Sequence, residues 1–188
     1  MSFDFLQPVV KKILALDYNA TDLSANENLK QLMQDFCQQH PPIPEMLLDC
    51  PPDQEIAHVL HQAKNNGLMI SLIRWGHEVK EVVHNHLTWA VVGVLAGTEQ
   101  HTAWHRLDNQ QQPGHAHLKK HKTLLLQPGD VITMKKHDIH SVCNQTQNNG
   151  TAISLHVYGQ DLRTTGRSKF DTVNMTESPY EMTFVPFV

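Results

Sequence analysis

The sequence predicts an all-β core behind an amino-terminal helical region, and three observations predict it. From Leu68 onward, short runs of strand-forming residues alternate with turn signals such as Pro128-Gly129-Asp130 and Asn148-Asn149-Gly150. Before that point, apolar residues recur at helical rather than strand spacing. Histidines and a serine–histidine–tyrosine triplet then sit at two-residue spacing inside the apolar strand text, so that one face of a strand is polar.

Phe5, Val9, Val10, Ile13, Leu14 and Leu16 form the first helical stripe, and Leu29, Leu32, Met33 and Phe36 the second. Asp22 or Ser24 is expected to cap the second helix. Pro41-Pro42-Ile43-Pro44 and Pro51-Pro52 break the pattern, and a third short helix is expected over 54–62. Strands are expected over 68–75, 81–94, 100–107, 118–126, 131–134 and 152–158. Short strands with turns and no helices between them argue for a sandwich or small barrel. The 188 residues read as one domain, 1–188, with 1–62 mostly helical and packed on a β-barrel of 68–188.

Composition excludes several classes of partner. Net charge is −4 with histidine neutral, and the 15 lysines and arginines are scattered, so nucleic acid is not expected. The longest apolar runs fall far short of the roughly 20 residues of a membrane span. Met1-Ser2-Phe3-Asp4 lacks the basic start and apolar stretch of a signal peptide. Three cysteines, Cys37, Cys50 and Cys143, form no paired motif, which fits a reducing cytoplasm. The sequence does not fix the oligomeric state.

Fourteen histidines are many for this length, so spacing must select among them. His84 and His86 project to one face of a strand. His140, from a second cluster that runs from Gly129 to Asn144, closes a site if a barrel brings the strands together. Neutral imidazoles suit Zn, Cu, Fe or Ni, and a facial set of three leaves positions open for Fe(II) to meet both a substrate and oxygen. Three neutral ligands leave more positive charge than a set containing a carboxylate, which favours an anionic substrate such as a thiolate. The bland alternative is a solvated cross-strand histidine pair. His115 and His117 lie in a polar, glycine-containing hairpin and read as a solvated turn, and His137 reads as a loop residue.

Ser154, His156 and Tyr158 alternate with Leu155 and Val157 and so share one face. Polar side chains facing a barrel interior must satisfy one another or a ligand. A serine–histidine–tyrosine relay does so, and leaves the tyrosine hydroxyl to offer a proton or hydrogen bond. The alternative is a strand whose polar face is merely exposed.

On these residues the chain resembles the cupins, double-stranded β-helix (jelly-roll) barrels. Their pattern of His-x-His, a later Glu and then Gly matches His84-Asn85-His86 and Gly97, while Ala90 and Val91 stand where the Glu belongs. Within that group it resembles the thiol dioxygenases, the cysteine dioxygenase family, over about residues 54–171. The matching residues are Trp75-Gly76, Thr88-Trp89, Gly93, His140 to Asn144 and Ser154 to Gly159. The resemblance implies a mononuclear non-haem Fe(II) enzyme with His84, His86 and His140 as ligands. It implies a reaction that adds both oxygens of O₂ to a small thiol, giving a sulfinic acid, with Tyr158 steering the substrate or oxygen.

Departures bear on the substrate. Asn85 replaces a common Asp. Ala90-Val91-Val92-Gly93 has no cysteine to cross-link to Tyr158, as in the branch that includes 3-mercaptopropionate dioxygenases. No arginine precedes Arg74, so the guanidinium clamp of cysteine-specific members is missing, and Gln54 and Gln62 are only near the glutamine of the other branch. Arg74, Arg163 and Arg167 are candidate carboxylate partners that also read as surface charges. Two other functions stand beside this one: a non-catalytic metal-binding cupin sensor, and another metal-dependent cupin enzyme acting on a sulfur-free substrate.

Overall fold

A computed structural model describes residues 3–16, 27–64 and 67–186. After a 3-10 turn at Asp4–Leu6 come helices α1 (Gln7–Leu14), α2 (Glu27–Gln38) and α3 (Glu45–Leu48). Twelve strands follow: β1 (Glu55–Gln62), β2 (Met69–Trp75), β3 (Val83–Asn85), β4 (Ala90–Ala96), β5 (Glu99–Arg106) and β6 (Leu118–Leu126), then β7 (Val131–Met134), β8 (Ile139–Asn144), β9 (Ala152–Tyr158), β10 (Ser168–Asp171), β11 (Thr176–Pro179) and β12 (Phe184–Pro186). They form two six-stranded sheets, ordered β12-β1-β2-β9-β4-β7 and β11-β10-β3-β8-β5-β6. The inner eight, β2-β9-β4-β7 and β3-β8-β5-β6, interleave as two Greek keys, the strand order of a jelly roll.

The first sheet is buried on both faces, and its sequence shows why. In β2, Ile70 and Leu72 point outward and pack with Val9, Ile13, Leu29 and Met33 of α1 and α2. The alternate residues, Met69, Ile73 and Trp75, point into the barrel. Covered strands of this kind read as apolar runs, as β4 does without a break and β2 with only Ser71 and Arg74 interrupting it. Gly93 lets α2 close on β4, because a Cβ there would meet Cys37 Sγ and Met33. The second sheet has no such cover, and between its buried ends β6 is solvent-exposed throughout.

Several expectations change. The short helix expected over 54–62 is strand β1, which pairs with β2 on one side and β12 on the other. Sheet partners on both edges outweigh the weak helical propensity of nine residues. The strand expected over 81–94 is two strands, β3 and β4, and Leu87 between them has φ of +51°. Strand β8, which carries His140, was not among the expected runs, and neither were β10 to β12 or the single-turn α3. The cap candidates Asp22 and Ser24 lie outside the described residues.

Candidate metal centre and its surroundings

His84 on β3 and His140 on β8 are directly paired across the second sheet. His86 follows β3 by one residue and turns into the same space. All three are buried, and one ligand nitrogen from each lies within 4.8 Å of the others. Nε2 of His86 is 3.2 Å from Nε2 of both His84 and His140. At a metal–nitrogen bond of about 2.1 Å, that 3.2 Å separation subtends about 100° at the ion. His86 and either neighbour therefore fit adjacent positions on one metal ion, and the third pair lies within 4.8 Å.

The electrostatics fit the same use. Burial, with a smaller contribution from the positive charge of Arg167, lowers the His84 pKa to about 4. Burial and the neighbouring histidines hold His86 and His140 well below the ordinary value. Neutral imidazole is the form that binds metal. His84 Nδ1 donates to the Val82 carbonyl at 3.0 Å, which leaves Nε2 with its lone pair toward the centre.

The relay faces this cluster from the other sheet. Ser154 Oγ and Tyr158 OH each lie 2.8 Å from a ring nitrogen of His156, at Nε2 and Nδ1. Trp75 Nε1, which can only donate, reaches Ser154 Oγ at 3.3 Å. With His156 protonated on Nδ1, the serine donates to Nε2, His156 Nδ1–H donates to the tyrosine oxygen, and the tyrosine proton is free to point at the centre. The Tyr158 ring meets His86 edge-on at 5.0 Å. Burial raises the Tyr158 pKa, so the phenol keeps its proton.

Arg167 is not the surface charge it resembles in the sequence. Its side chain is 4% exposed, and Nη2 has no hydrogen-bond partner among the described residues. Its guanidinium lies 4.4 Å over the Tyr180 ring, and Tyr180 lies 5.1 Å from the His84 ring. A cavity of about 420 Å³ opens here, walled by Arg167, Tyr180, Leu162, Met182 and Phe184. Glu55 enters the same region from β1, and its burial raises its pKa to about 7 against the pull of Arg167.

The other candidates are accounted for structurally. Arg74 turns outward and donates to the carbonyls of Met46, Leu47 and Asp49. Arg163 and Gln62 are both bound to Asp161, and Gln54 is exposed. Asn85 Oδ1 accepts the Ser168 amide at 2.8 Å, fastening β3 to β10. Asn144 Nδ2 donates to the Trp75 and Gly150 carbonyls. His117 and His137 are exposed and His115 is half-buried, all three outside the histidine cluster. Sequence reasoning missed Tyr180, Glu55 and a buried Glu99–His101 pair. The last was marked by its Glu-x-His spacing at the start of β5.

No protein-family model matches the chain. Among solved structures it is similar to a cupin superfamily protein from Desulfitobacterium hafniense, at 19% identity over 64% of this chain and 91% of that one, with a TM-score of 0.44. It is similar to an uncharacterized conserved protein with a double-stranded β-helix domain from Klebsiella pneumoniae, at 15% identity over 68% and 93%, with a TM-score of 0.45. The DMSP lyase DddQ from Ruegeria pomeroyi matches at 14% identity over 65% and 57%, with a TM-score of 0.43. Among the described residues, no helix is long and apolar enough to cross a membrane. The chain has the jelly-roll fold and a buried three-histidine group able to hold a metal ion.

Proposed function

We propose that this protein is a mononuclear non-haem Fe(II) thiol dioxygenase. It converts a small thiol, 3-mercaptopropionate- or cysteine-like, and O₂ to the sulfinic acid. The observation that carries the reading is the opposition of two sets of groups across one buried space. Three neutral imidazole nitrogens converge from one sheet, and a tyrosine held at the end of a directed hydrogen-bond chain faces them from the other.

When bound, ferrous iron supplies the redox chemistry that joins both oxygen atoms of O₂ to the thiol sulfur. The protein's own groups do the rest. The unpartnered face of Arg167 supports a carboxylate-bearing substrate, since burial strengthens a guanidinium–carboxylate contact. Tyr180 orients that guanidinium by cation–π contact and separates it from His84. Tyr158 holds its proton toward the space in front of His86, where it steers the bound thiol by hydrogen bonding. His156 and Ser154 fix the direction of that proton, and Trp75 fixes theirs. The three cysteines are free, and we place the protein in a reducing cytoplasm on that ground.

The test is oxygen uptake by anaerobically iron-loaded protein given 3-mercaptopropionate, cysteine, cysteamine or no thiol, with the product identified by mass spectrometry. Thiol-dependent uptake with one sulfinate formed per O₂ is expected, with carboxylate-bearing thiols ahead of cysteamine. Full iron occupancy without uptake on any thiol would overturn the reading in favour of a sensor or an enzyme of sulfur-free substrates.

A further inference from the structure

A buried carboxylate–imidazole pair lies beside the three ligands, and neither the ligands nor the relay uses it. Glu99 opens β5 and is fully buried, and His101, two residues later, is 4% exposed. The register between β5 and β8 sets Ala103 opposite His140, His101 opposite Val142 and Glu99 opposite Asn144. Glu99 and His101 are therefore on the same face of the sheet as His140, which is the barrel interior.

Glu99 Oε2 lies 2.9 Å from His101 Nε2. A carboxylate oxygen accepts, so His101 Nε2 carries a proton, and in the neutral ring Nδ1 keeps a lone pair. With His140 Nε2 turned toward His86, the proton of His140 sits on Nδ1. Among the described residues, neither Nδ1 has a hydrogen-bond partner. One is thus a buried donor and the other a buried acceptor, and each is costly to leave unmatched.

The two rings are nearly parallel, at 22°, with centroids 5.9 Å apart. Nitrogens on rings at that distance stay beyond the ~3.2 Å of a direct N–H···N bond. Rings held that far apart leave room for one water molecule between them. A cavity of about 450 Å³ leads from solvent to this point, with Lys30, His105 and His121 in its wall and His101 and His140 also lining it.

We propose that Glu99 and His101 are positioning residues for the metal ligand His140. A single water taken in through the cavity joins His140 Nδ1–H to His101 Nδ1, and His101 Nε2–H passes the interaction on to Glu99. Metal-bound histidines ordinarily donate their second N–H to a carboxylate, carbonyl or water, which fixes the ring and raises its basicity. The acidic group that Ala90 and Val91 do not supply is present one step behind His140, where it offsets the charge of the ion without occupying a coordination position. The inference rests on the metal-centre reading and is independent of which substrate reacts there.

The experiment compares wild type with Glu99→Gln, which removes the charge, and His101→Phe, which keeps the ring and removes its nitrogens. His105→Ala, at the cavity wall, is the control. Iron affinity is measured by chelator competition, and the Fe(III)/Fe(II) midpoint potential by anaerobic mediator titration. The first two variants are expected to bind iron about ten- to a hundredfold more weakly and to show a more positive potential. His105→Ala is expected to match wild type. Nitrogen NMR of histidine-labelled, zinc-loaded wild type adds a readout that needs no variant to fold: His101 protonated on Nε2 alone and His140 on Nδ1 alone. Wild-type iron binding with potential and affinity unchanged in both variants overturns the relay alone, as does the opposite His101 tautomer. Wild-type protein that binds no iron overturns the metal centre along with it.

Discussion

The two sheets of the barrel face the same space and are built on opposite terms. The first carries Ser154, His156 and Tyr158 on strands covered by α1 and α2, and these three are joined to one another and to Trp75, while Ser71 Oγ on β2 has no partner among the described residues. The second carries His84 and His140 on strands backed by a small apolar cluster and no helix, and among the described residues it leaves polar atoms such as His140 Nδ1 and His101 Nδ1 without partners. A sheet sandwiched between helices and barrel holds a hydrogen-bond chain in fixed direction. A sheet open on one side admits the small molecules that complete its site.

The comparison breaks most sharply at the ligands. His86→Ala or His140→Ala is expected to abolish iron retention and oxygen uptake together; metal analysis showing full occupancy in either would remove that residue from the ligand set. On the relay side the effects separate. Tyr158→Phe is expected to keep iron and lower turnover about a hundredfold, or to uncouple oxygen use from sulfinate, as steady-state rates with product analysis would reveal. Unchanged kinetics would sink its role.

Arg167→Gln sharpens the contrast further, since it touches neither the ligands nor the relay directly. It is expected to raise KM for 3-mercaptopropionate at least tenfold and to leave that for cysteamine nearly unmoved, because only the first has a carboxylate. Equal effects on both thiols would mean that Arg167 acts through structure.

The covered face answers to packing alone. Gly93→Ala drives a methyl against Cys37 and is expected to cost about 1–3 kcal/mol in chemical denaturation, with iron binding intact. Cys37→Ala in the same chain should return part of that loss. The smallest effect is at His58, whose ring meets that of Phe3 at a tilt of 51° with centroids 5.1 Å apart. Burial and the nearby Arg74 lower its pKa from 6.5 to about 4, so the unfolded chain takes up the proton first on acidification. The stability contributed by the neutral ring is complete above about pH 6.5 and is lost as pH falls through 4. His58→Phe should flatten that limb of a stability–pH profile; an unaltered profile would mean that His58 carries no part of it.

The covered sheet was the more legible in the sequence, for a physical reason. Burial on both faces leaves runs such as Met69–Trp75 and Ala90–Ala96 almost wholly apolar, and such runs announce themselves. Strand β8 is half functional, so His140, Ser141 and Asn144 mask its strand character even while their spacing marks the ligand. The spacing of His84, His86 and Ser154 to Tyr158 put these side chains on one side because strand alternation fixes a side without knowledge of the rest of the fold. Arg167 was illegible because what buries it, Tyr180 and Phe184, comes from the carboxyl-terminal segment and shares no local pattern with it. Glu99 and His101 stood at the margin of an expected strand that began one residue too late.

The pairing of His84 with His140 bears on when the protein can acquire its ion. His86 and His140 are 54 residues apart in the chain. Closing a loop of that length, with β4 to β7 threaded between, is slow and repays its entropy only once the sheets meet. During synthesis the first two histidines emerge well before the third, and a two-nitrogen site holds a divalent ion weakly. On the proposed function, loading follows closure of the barrel, so that a shortage of the metal leaves folded, empty protein rather than misfolded chains, a reserve that fills when the metal returns.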